Sequence, residues 1–270
     1  MKSIMATHPS QLSALKLLRK DTETEDLSLD PTATLKAMDA RYIPSSTRVA
    51  LTALRKTYPD NPVFLHEMKK RYSMFKQIDN SQQPTKKQED NFIAWDKIIE
   101  FRDQYYEEMS PVQRVLIALY TYIPPVRLDF TPMKIVARKP RKLEDGINYY
   151  VNAQNPYFVM HAFKTHAALG DRMIKVPVKL KAEIDKYIQP NQQYLLETDG
   201  QPWKENYLGQ MVSKMFKQFH NMKTGVSMLR HAYATKFHKG QLPLDEITKT
   251  ASAMLHGPLQ SMTYRFISLE

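Results

Sequence analysis

Apolar positions in the first 78 residues recur at helical spacing. Four of them follow one another at intervals of three or four residues and so share one helix face: Leu65, Met68, Tyr72 and Phe75. Asp30 and Asn61 each stand directly before a proline, which combines a capping side chain with a residue suited to the first helical position. The pattern predicts a helical domain over residues 1–78.

A polar segment follows the helical pattern, and after it helical and strand patterns are mixed. Residues 79–90 contain no apolar side chain except Pro84, which is typical of an interdomain linker. Beyond it, helical patterns alternate with short segments rich in Tyr, Val and Ile, and these segments predict a small antiparallel sheet: Met133–Val136, Asn148–Asn152, Tyr157–Phe163 and Arg172–Val178. We therefore expect a mainly α, α+β protein, with helices around a small antiparallel sheet in residues 91–270.

The charge balance narrows the choice of partner. Lys and Arg number 39 against 28 for Asp and Glu, a net charge of +11, which predicts a polyanionic partner such as nucleic acid or an anionic membrane surface. No apolar run approaches the roughly 18 residues of a membrane span, and Met1 to Lys20 lack the apolar core of a signal peptide. We expect a protein that is neither membrane-bound nor secreted.

The composition also bears on cofactors. The chain has no cysteine, so it has neither disulfides nor thiolate metal sites, and no Gly-rich loop suggests a nucleotide-phosphate cradle. His231 and His238 are seven residues apart, too far for a shared ion on an ordinary helix. We therefore expect no cofactor and no metal ion.

Three residue types that suit phosphate chemistry stand near the end of the chain. Arg230 lies in Leu229–Thr235, His256 lies in Met254–Gly257, and Tyr264 follows. Arginine can hold a phosphate through two parallel hydrogen bonds, histidine is a second donor, and the tyrosine hydroxyl can attack phosphorus. Since the chain has 15 tyrosines, only the order and surroundings of Tyr264 distinguish it.

The segment Leu116–Phe130 extends this set, and with it the chain resembles the tyrosine recombinase, or phage-type integrase, family. An apolar helix, a turn with Pro-Pro and then Arg127 are similar to the first arginine box of that family. The Pro-Pro-x-Arg-x-Asp form is most similar to integrases of large DNA viruses and related mobile elements. The resemblance implies that Arg127 clamps the scissile phosphate and that Asp129 is a buttress.

The other boxes support the resemblance, with one departure. Lys164, on a β-hairpin, matches the family's general acid, with Lys175 as the competing candidate. The family pattern His-x-x-Arg-His has Ser227 in place of its first histidine, and serine is a poor proton acceptor near neutral pH. The general base is therefore left open, and we expect a packing or capping role for His231 because it points about 100° away from Arg230.

The resemblance implies a site-specific DNA recombinase that cuts and rejoins DNA through a covalent 3′-phosphotyrosine on Tyr264, with no metal or ATP. It implies a helical core-binding domain over residues 1–78, a catalytic domain over residues 91–270, and a homotetramer on double-stranded DNA with one dimer per site. The enzyme would act wherever its DNA is, in cytoplasm, nucleus or viral factory. Two alternatives are a topoisomerase IB-like enzyme that relaxes DNA and a DNA-binding relative without catalysis, marked by Ser227.

Overall fold

The computed structural model of the protein describes residues 8–238 and 243–269. Residues 1–7, the start of the segment that lacks the apolar core of a signal peptide, lie outside the described residues. The chain divides into two compact units, one ending at Ser81 and the other beginning at Gln82. Helices predominate and the second unit contains a small sheet, so the predicted mainly α, α+β class is confirmed.

The first unit is helical. Its helices are α1 (Pro9–Thr22), α2 (Pro31–Arg41), α3 (Pro44–Thr57) and α4 (Pro62–Ser81). Asp30 accepts a hydrogen bond from the amide of Ala33 at 2.9 Å, and Asn61 accepts from the amide of Phe64 at 3.2 Å, so both predicted caps form. The apolar faces meet in a core whose fully buried members include Leu18, Leu27, Met38, Leu54 and Phe64.

The second unit contains helices before, between and after its strands in the sequence. The helices are α5 (Lys86–Glu89), α6 (Trp95–Gln104), α7 (Pro111–Thr121), α8 (His166–Leu169), α9 (Val178–Tyr187), α10 (Glu205–His220), α11 (Val226–Phe237), α12 (Leu244–Ala253) and α13 (Pro258–Met262), and a 3₁₀ turn spans Ile267–Leu269. The strands are β1 (Met133–Val136), β2 (Asn148–Val151), β3 (Tyr157–Met160), β4 (Arg172–Lys175), β5 (Glu197–Thr198) and β6 (Gln201–Pro202).

The main sheet has the order β1-β2-β3-β4 and is mixed. β2, β3 and β4 pair antiparallel, but β1 runs parallel to β2, so the prediction of an antiparallel sheet is wrong for this pair. Residues 137–147 separate the two strands, and this length of chain lets β2 start again at the same end as β1, whereas a tight turn would reverse it. Short strand patterns carry no information on strand direction.

The core of the second unit surrounds α7. Every residue from Val115 to Thr121 is buried, because α6, α9 and α10 pack against α7. Arg127 follows the buried end of α7 by six residues. The predicted linker is partly helical, since α4 continues to Ser81 and Thr85 caps α5.

Candidate active site

Arg230 is buried inside the second unit. α11 is covered on most of its surface, so the side chain of Arg230 is only 1% exposed. Its Nη1 donates to the carbonyl oxygen of Pro125 at 2.9 Å, and its Nη2 donates to the carbonyl oxygen of Met254 at 3.4 Å. These bonds fix the guanidinium between the end of α7 and the end of α12. Burial lowers its pKa, while interaction with Tyr264 opposes that shift.

His256 lies in the turn after α12, in direct contact with Arg230. The Nη2 of Arg230 contacts the Nε2 of His256. Since arginine has no acceptor, Nε2 must accept, and the proton of the neutral ring then lies on Nδ1. Burial, and then the charges of Arg230, Arg127 and Lys164, lower the pKa of His256 to about 2, so the ring is neutral near pH 7.

The backbone of this turn is strained. Leu255 has a φ of 57° and is buried, and a left-handed conformation costs a residue with a Cβ roughly 1–2 kcal/mol. The hydroxyl of Thr165 donates to the carbonyl oxygen of Leu255 at 2.8 Å, and the amide of His256 donates to Ala251 at 2.8 Å. The turn that carries His256 is therefore held from two sides.

Tyr264 lies against the side chains of Arg230 and His256. It follows α13 in a turn, because the helix that begins at Pro258 ends at Met262. The Arg230 Cζ is 4.9 Å from the centroid of the Tyr264 ring, and the His256 ring is also 4.9 Å away. The structure thus brings together three of the residues that the sequence selects, all from one chain.

Two residues of α11 hold the backbone around Tyr264. The Nδ1 of His231 is 2.8 Å from the carbonyl oxygen of Tyr264, and the hydroxyl of Thr235 accepts from the amide of Phe266 at 3.0 Å. The His231 ring stacks on Phe266 with centroids 4.1 Å apart. Burial lowers the pKa of His231 to about 4, so it is a neutral donor here.

Arg127 and Asp129 lie in the loop after α7. The Tyr120 hydroxyl donates to the carbonyl oxygen of Arg127 at 2.8 Å, and the carboxylate of Asp129 accepts from the amide of Arg127 at 2.9 Å. Asn148 donates to the carbonyl oxygen of Asp129 at 2.7 Å. Burial raises the pKa of Asp129, although the nearby arginines oppose this shift. Asp129 therefore braces the loop backbone beside Arg127.

Lys164 is exposed in the connection between β3 and β4. It lines a cavity of about 730 Å³ together with Arg127 and Asp129. The positive charge of Lys164 helps to lower the pKa of His256. Lys175, the competing candidate, lies at the end of β4 and lines a different cavity. The geometry thus groups Lys164, and not Lys175, with Arg127.

Ser227 lies apart from this group in one respect. It is in the first turn of α11, three residues before Arg230, but its side chain is exposed while that of Arg230 is buried. The described contacts of Arg230, His256 and Tyr264 do not include Ser227.

Two groups of polar residues were missed at the sequence level. His161, His166 and Asp171 converge beside Lys164, and both histidines line the same cavity as Arg127. The β1–β2 connection carries four exposed cations within five positions: Arg138, Lys139, Arg141 and Lys142. The basic group could have been found as a cluster of cations in the sequence. The signal for the other group was the spacing of its two histidines and its aspartate, each five residues after the one before.

Among known proteins, a similarity to this chain is found in a solved structure. No protein-family model matches the chain, and no curated protein matches it. Among solved structures, the crystal structure of XerA recombinase is similar with a TM-score of 0.48 and 12% sequence identity, over 98% of this chain and 89% of that chain. No described helix is both long and apolar enough to cross a membrane.

Proposed function

We propose that the chain is a tyrosine recombinase that breaks and rejoins DNA through a covalent bond to Tyr264. The observation that carries the proposal is the contact of Arg230, His256 and Tyr264, with two nitrogens left over. Among the described residues, Arg230 Nε and His256 Nδ1 are buried without a hydrogen-bond partner. Buried donors normally have partners, so both are suited to bind oxygens of an incoming phosphate.

The site is preorganised for an anion. The two terminal nitrogens of Arg230 already bind Pro125 and Met254, so the guanidinium need not reorient when a phosphate arrives. His256 is neutral, and its Nδ1–H adds a donor without a second buried positive charge. The cations of Arg127 and Lys164, at the neighbouring cavity, would neutralise the charge that builds on the non-bridging oxygens.

The reaction follows from these positions. The Tyr264 oxygen attacks phosphorus, the bond from phosphorus to the 5′ oxygen breaks, and the Tyr264 proton passes to a base. Lys164 gives a proton to the departing 5′ oxygen, which leaves as a hydroxyl. Since the phosphotyrosine keeps the energy of the broken bond, a 5′ hydroxyl from another strand can reverse the step and restore Tyr264. Because this bond energy is retained, ATP is not needed, and the guanidiniums supply the charge compensation.

DNA binding is proposed from charge and exposure. The net charge of +11 favours a polyanion, and the exposed basic cluster of the β1–β2 connection is suited to backbone phosphates. In the first unit, Lys16, Lys69 and Lys70 are exposed. Arg71 of the same unit instead forms ion pairs with Asp39 and Glu67. We assign Arg71 to the stability of the helical unit.

The finer assignments rest on the sequence resemblance. The Pro-Pro-x-Arg-x-Asp form around Arg127 favours an integrase of the kind found in large DNA viruses and mobile elements, acting as a tetramer with one dimer per site. Residues 1–78 would be the core-binding domain and residues 91–270 the catalytic domain. The protein would act in the compartment that holds its DNA.

Covalent trapping tests the proposal. A nicked suicide substrate made from the ends of the element that encodes the chain should give a denaturant-stable adduct with the wild type. Tyr264→Phe should bind the same DNA and give no adduct. Tyr233→Phe is the matched control, because Tyr233 packs edge-on against Trp95 at 5.0 Å in the core of the second unit, and this variant should form the adduct.

Three other outcomes would redirect the proposal. An adduct with Tyr264→Phe would move the nucleophile elsewhere. Binding by the wild type without any adduct would favour the non-catalytic relative. Relaxation of supercoiled DNA by the wild type, with no exchange between two duplexes, would favour the topoisomerase IB-like enzyme.

A further inference from the structure

His161, His166 and Asp171 form a compact cluster in the connection between β3 and β4. His161 directly follows β3, His166 begins α8, and Asp171 directly precedes β4. The His161 Nδ1 lies 2.7 Å from Asp171 Oδ1, and the His166 Nε2 lies 2.8 Å from the same oxygen. The two rings have centroids 4.9 Å apart. Two ring nitrogens and one carboxylate oxygen therefore converge on one point.

We propose that this cluster binds a divalent transition-metal ion of the Zn²⁺ class. The three ligand atoms lie within 4.8 Å of one another, and ligands about 2.0–2.2 Å from a tetrahedral ion are roughly 3.3–3.6 Å apart, so the atoms are close to the separations that a shared ion requires. Two imidazoles with one carboxylate suit Zn²⁺, Co²⁺ or Ni²⁺, whereas Mg²⁺ and Ca²⁺ prefer oxygen ligands. Small side-chain rotations would replace the shared carboxylate contact with a shared ion.

The cluster is open to an entering ion. The side chains of His161, His166 and Asp171 are 21%, 35% and 38% exposed, so an ion can reach them without unfolding. Three protein ligands leave a fourth position of a tetrahedral ion free. His161 and His166 line the cavity that Arg127 and Lys164 also line, so the cluster lies at the edge of the proposed phosphate site.

A bound ion would hold the connection that carries Lys164. His161 and Asp171 stand at its two ends and His166 stands between them, so one ion would cross-link both strands to α8. Thr165, next to Lys164, binds the carbonyl oxygen of Leu255 beside His256. The ion would therefore fix Lys164 relative to the rest of the site. The binding itself is independent of the proposed recombinase activity.

Calorimetric titration tests the site directly. The full-length protein, freed of metal with a chelator, is titrated with ZnCl₂, and we expect one ion per chain. Outer-shell partners alone change metal affinity by about 10- to 100-fold, so Asp171→Asn, which removes a direct ligand, should lose at least that much. The double variant His161→Ala/His166→Ala should lose the stoichiometric site. His66→Ala, with an exposed histidine on α4, is the matched control and should bind as the wild type does.

A second measurement keeps the test valid if the double variant is unstable. Co²⁺ bound to the wild type should give the intense visible bands of four-coordinate cobalt, and Asp171→Asn, which preserves shape, should weaken them. Zn²⁺ should also raise the Tm of the wild type and of His66→Ala but not that of Asp171→Asn. Absence of stoichiometric Zn²⁺ binding by the wild type, or equal binding by Asp171→Asn, would overturn the proposal and leave a hydrogen-bonded triad.

Discussion

The attachment of Tyr264 to α11 gives the sharpest quantitative prediction. His231→Ala removes the hydrogen bond to the carbonyl oxygen of Tyr264 and the stacking on Phe266, while the proposed phosphate ligands Arg230 and His256 stay in place. We expect the segment that carries Tyr264 to leave its docked position more often. Formation of the covalent adduct should then slow, whereas DNA affinity should not change, because the substituted residue is buried.

The magnitude follows from the contacts that are lost. One hydrogen bond contributes about 1 kcal/mol, and the ring contacts of His231 with Phe266 and Tyr264 contribute about 0.5–1.5 kcal/mol each. The total of about 2–4 kcal/mol corresponds to a loss of roughly 30- to 700-fold in the docked population, since about 1.4 kcal/mol is tenfold. This range is the upper limit for the loss in rate.

The assay is single-turnover adduct formation on a nicked substrate, with amide hydrogen exchange at Phe266 measured in parallel. Thr235→Val should have the same effect through a different atom, because it leaves the buried amide of Phe266 unpaired at a cost of about 1–3 kcal/mol. Thr248→Val, at an exposed position of α12, is the control. An adduct rate within twofold of wild type, with unchanged exchange at Phe266, would refute the idea that α11 positions the nucleophile.

Three further predictions concern pH, the departure at Ser227 and DNA affinity. His231 has a pKa of about 4 when folded and about 6.5 when unfolded, so the unfolded chain binds more protons between these values. His231 should therefore contribute about 3 kcal/mol to the fall in the free energy of unfolding as pH drops from 6.5 to 4, in addition to the contribution of His256, and urea titrations of His231→Phe should show a smaller fall. Ser227→His, at an exposed site, should change stability by no more than about 0.5 kcal/mol and should keep or accelerate adduct formation; loss of cleavage would mean that the pocket is built around serine. A variant with glutamine at the four basic positions of the β1–β2 connection tests DNA affinity: Arg138, Lys139, Arg141 and Lys142. The slope of the logarithm of the DNA-binding constant against the logarithm of the salt concentration should become shallower by about 0.9 for each phosphate contact that is lost. An unchanged slope would contradict the role of these residues.

The fold could be predicted as far as local signals reach. Asp30 and Asn61 are caps whose partners lie within three residues, so the sequence contains the whole interaction. The direction of β1 relative to β2 depends on how residues 137–147 run, which no short pattern specifies. In the same way, the end of α13 before Tyr264 depends on the bonds of the following segment to His231 and Thr235.

The candidate site likewise has features that could be predicted from the sequence and features that depend on the tertiary structure. Arg230, His256 and Tyr264 were chosen by residue type and order, and the structure brings them into contact although 34 positions separate the first from the last. His161 and Asp171 were overlooked because no helical or strand period relates them, and only the return of the chain between β3 and β4 brings them together. The bracing bonds of Asp129 are to backbone atoms, which sequence patterns do not reveal.

The protonation state of His256 limits what this residue can do in catalysis. Its Nε2 accepts from Arg230, and its pKa of about 2 means that it does not take up a proton near neutral pH. A residue in this state donates through Nδ1–H and is a poor base for the Tyr264 proton. His231 is a poor base for a related reason, because burial lowers its pKa to about 4. The positive charges around the phenol must therefore do most of the activation, and His256→Asn, which keeps a donor, should retain more cleavage than His256→Ala. Equal loss in both variants, measured by single-turnover adduct formation, would show that His256 acts by another route.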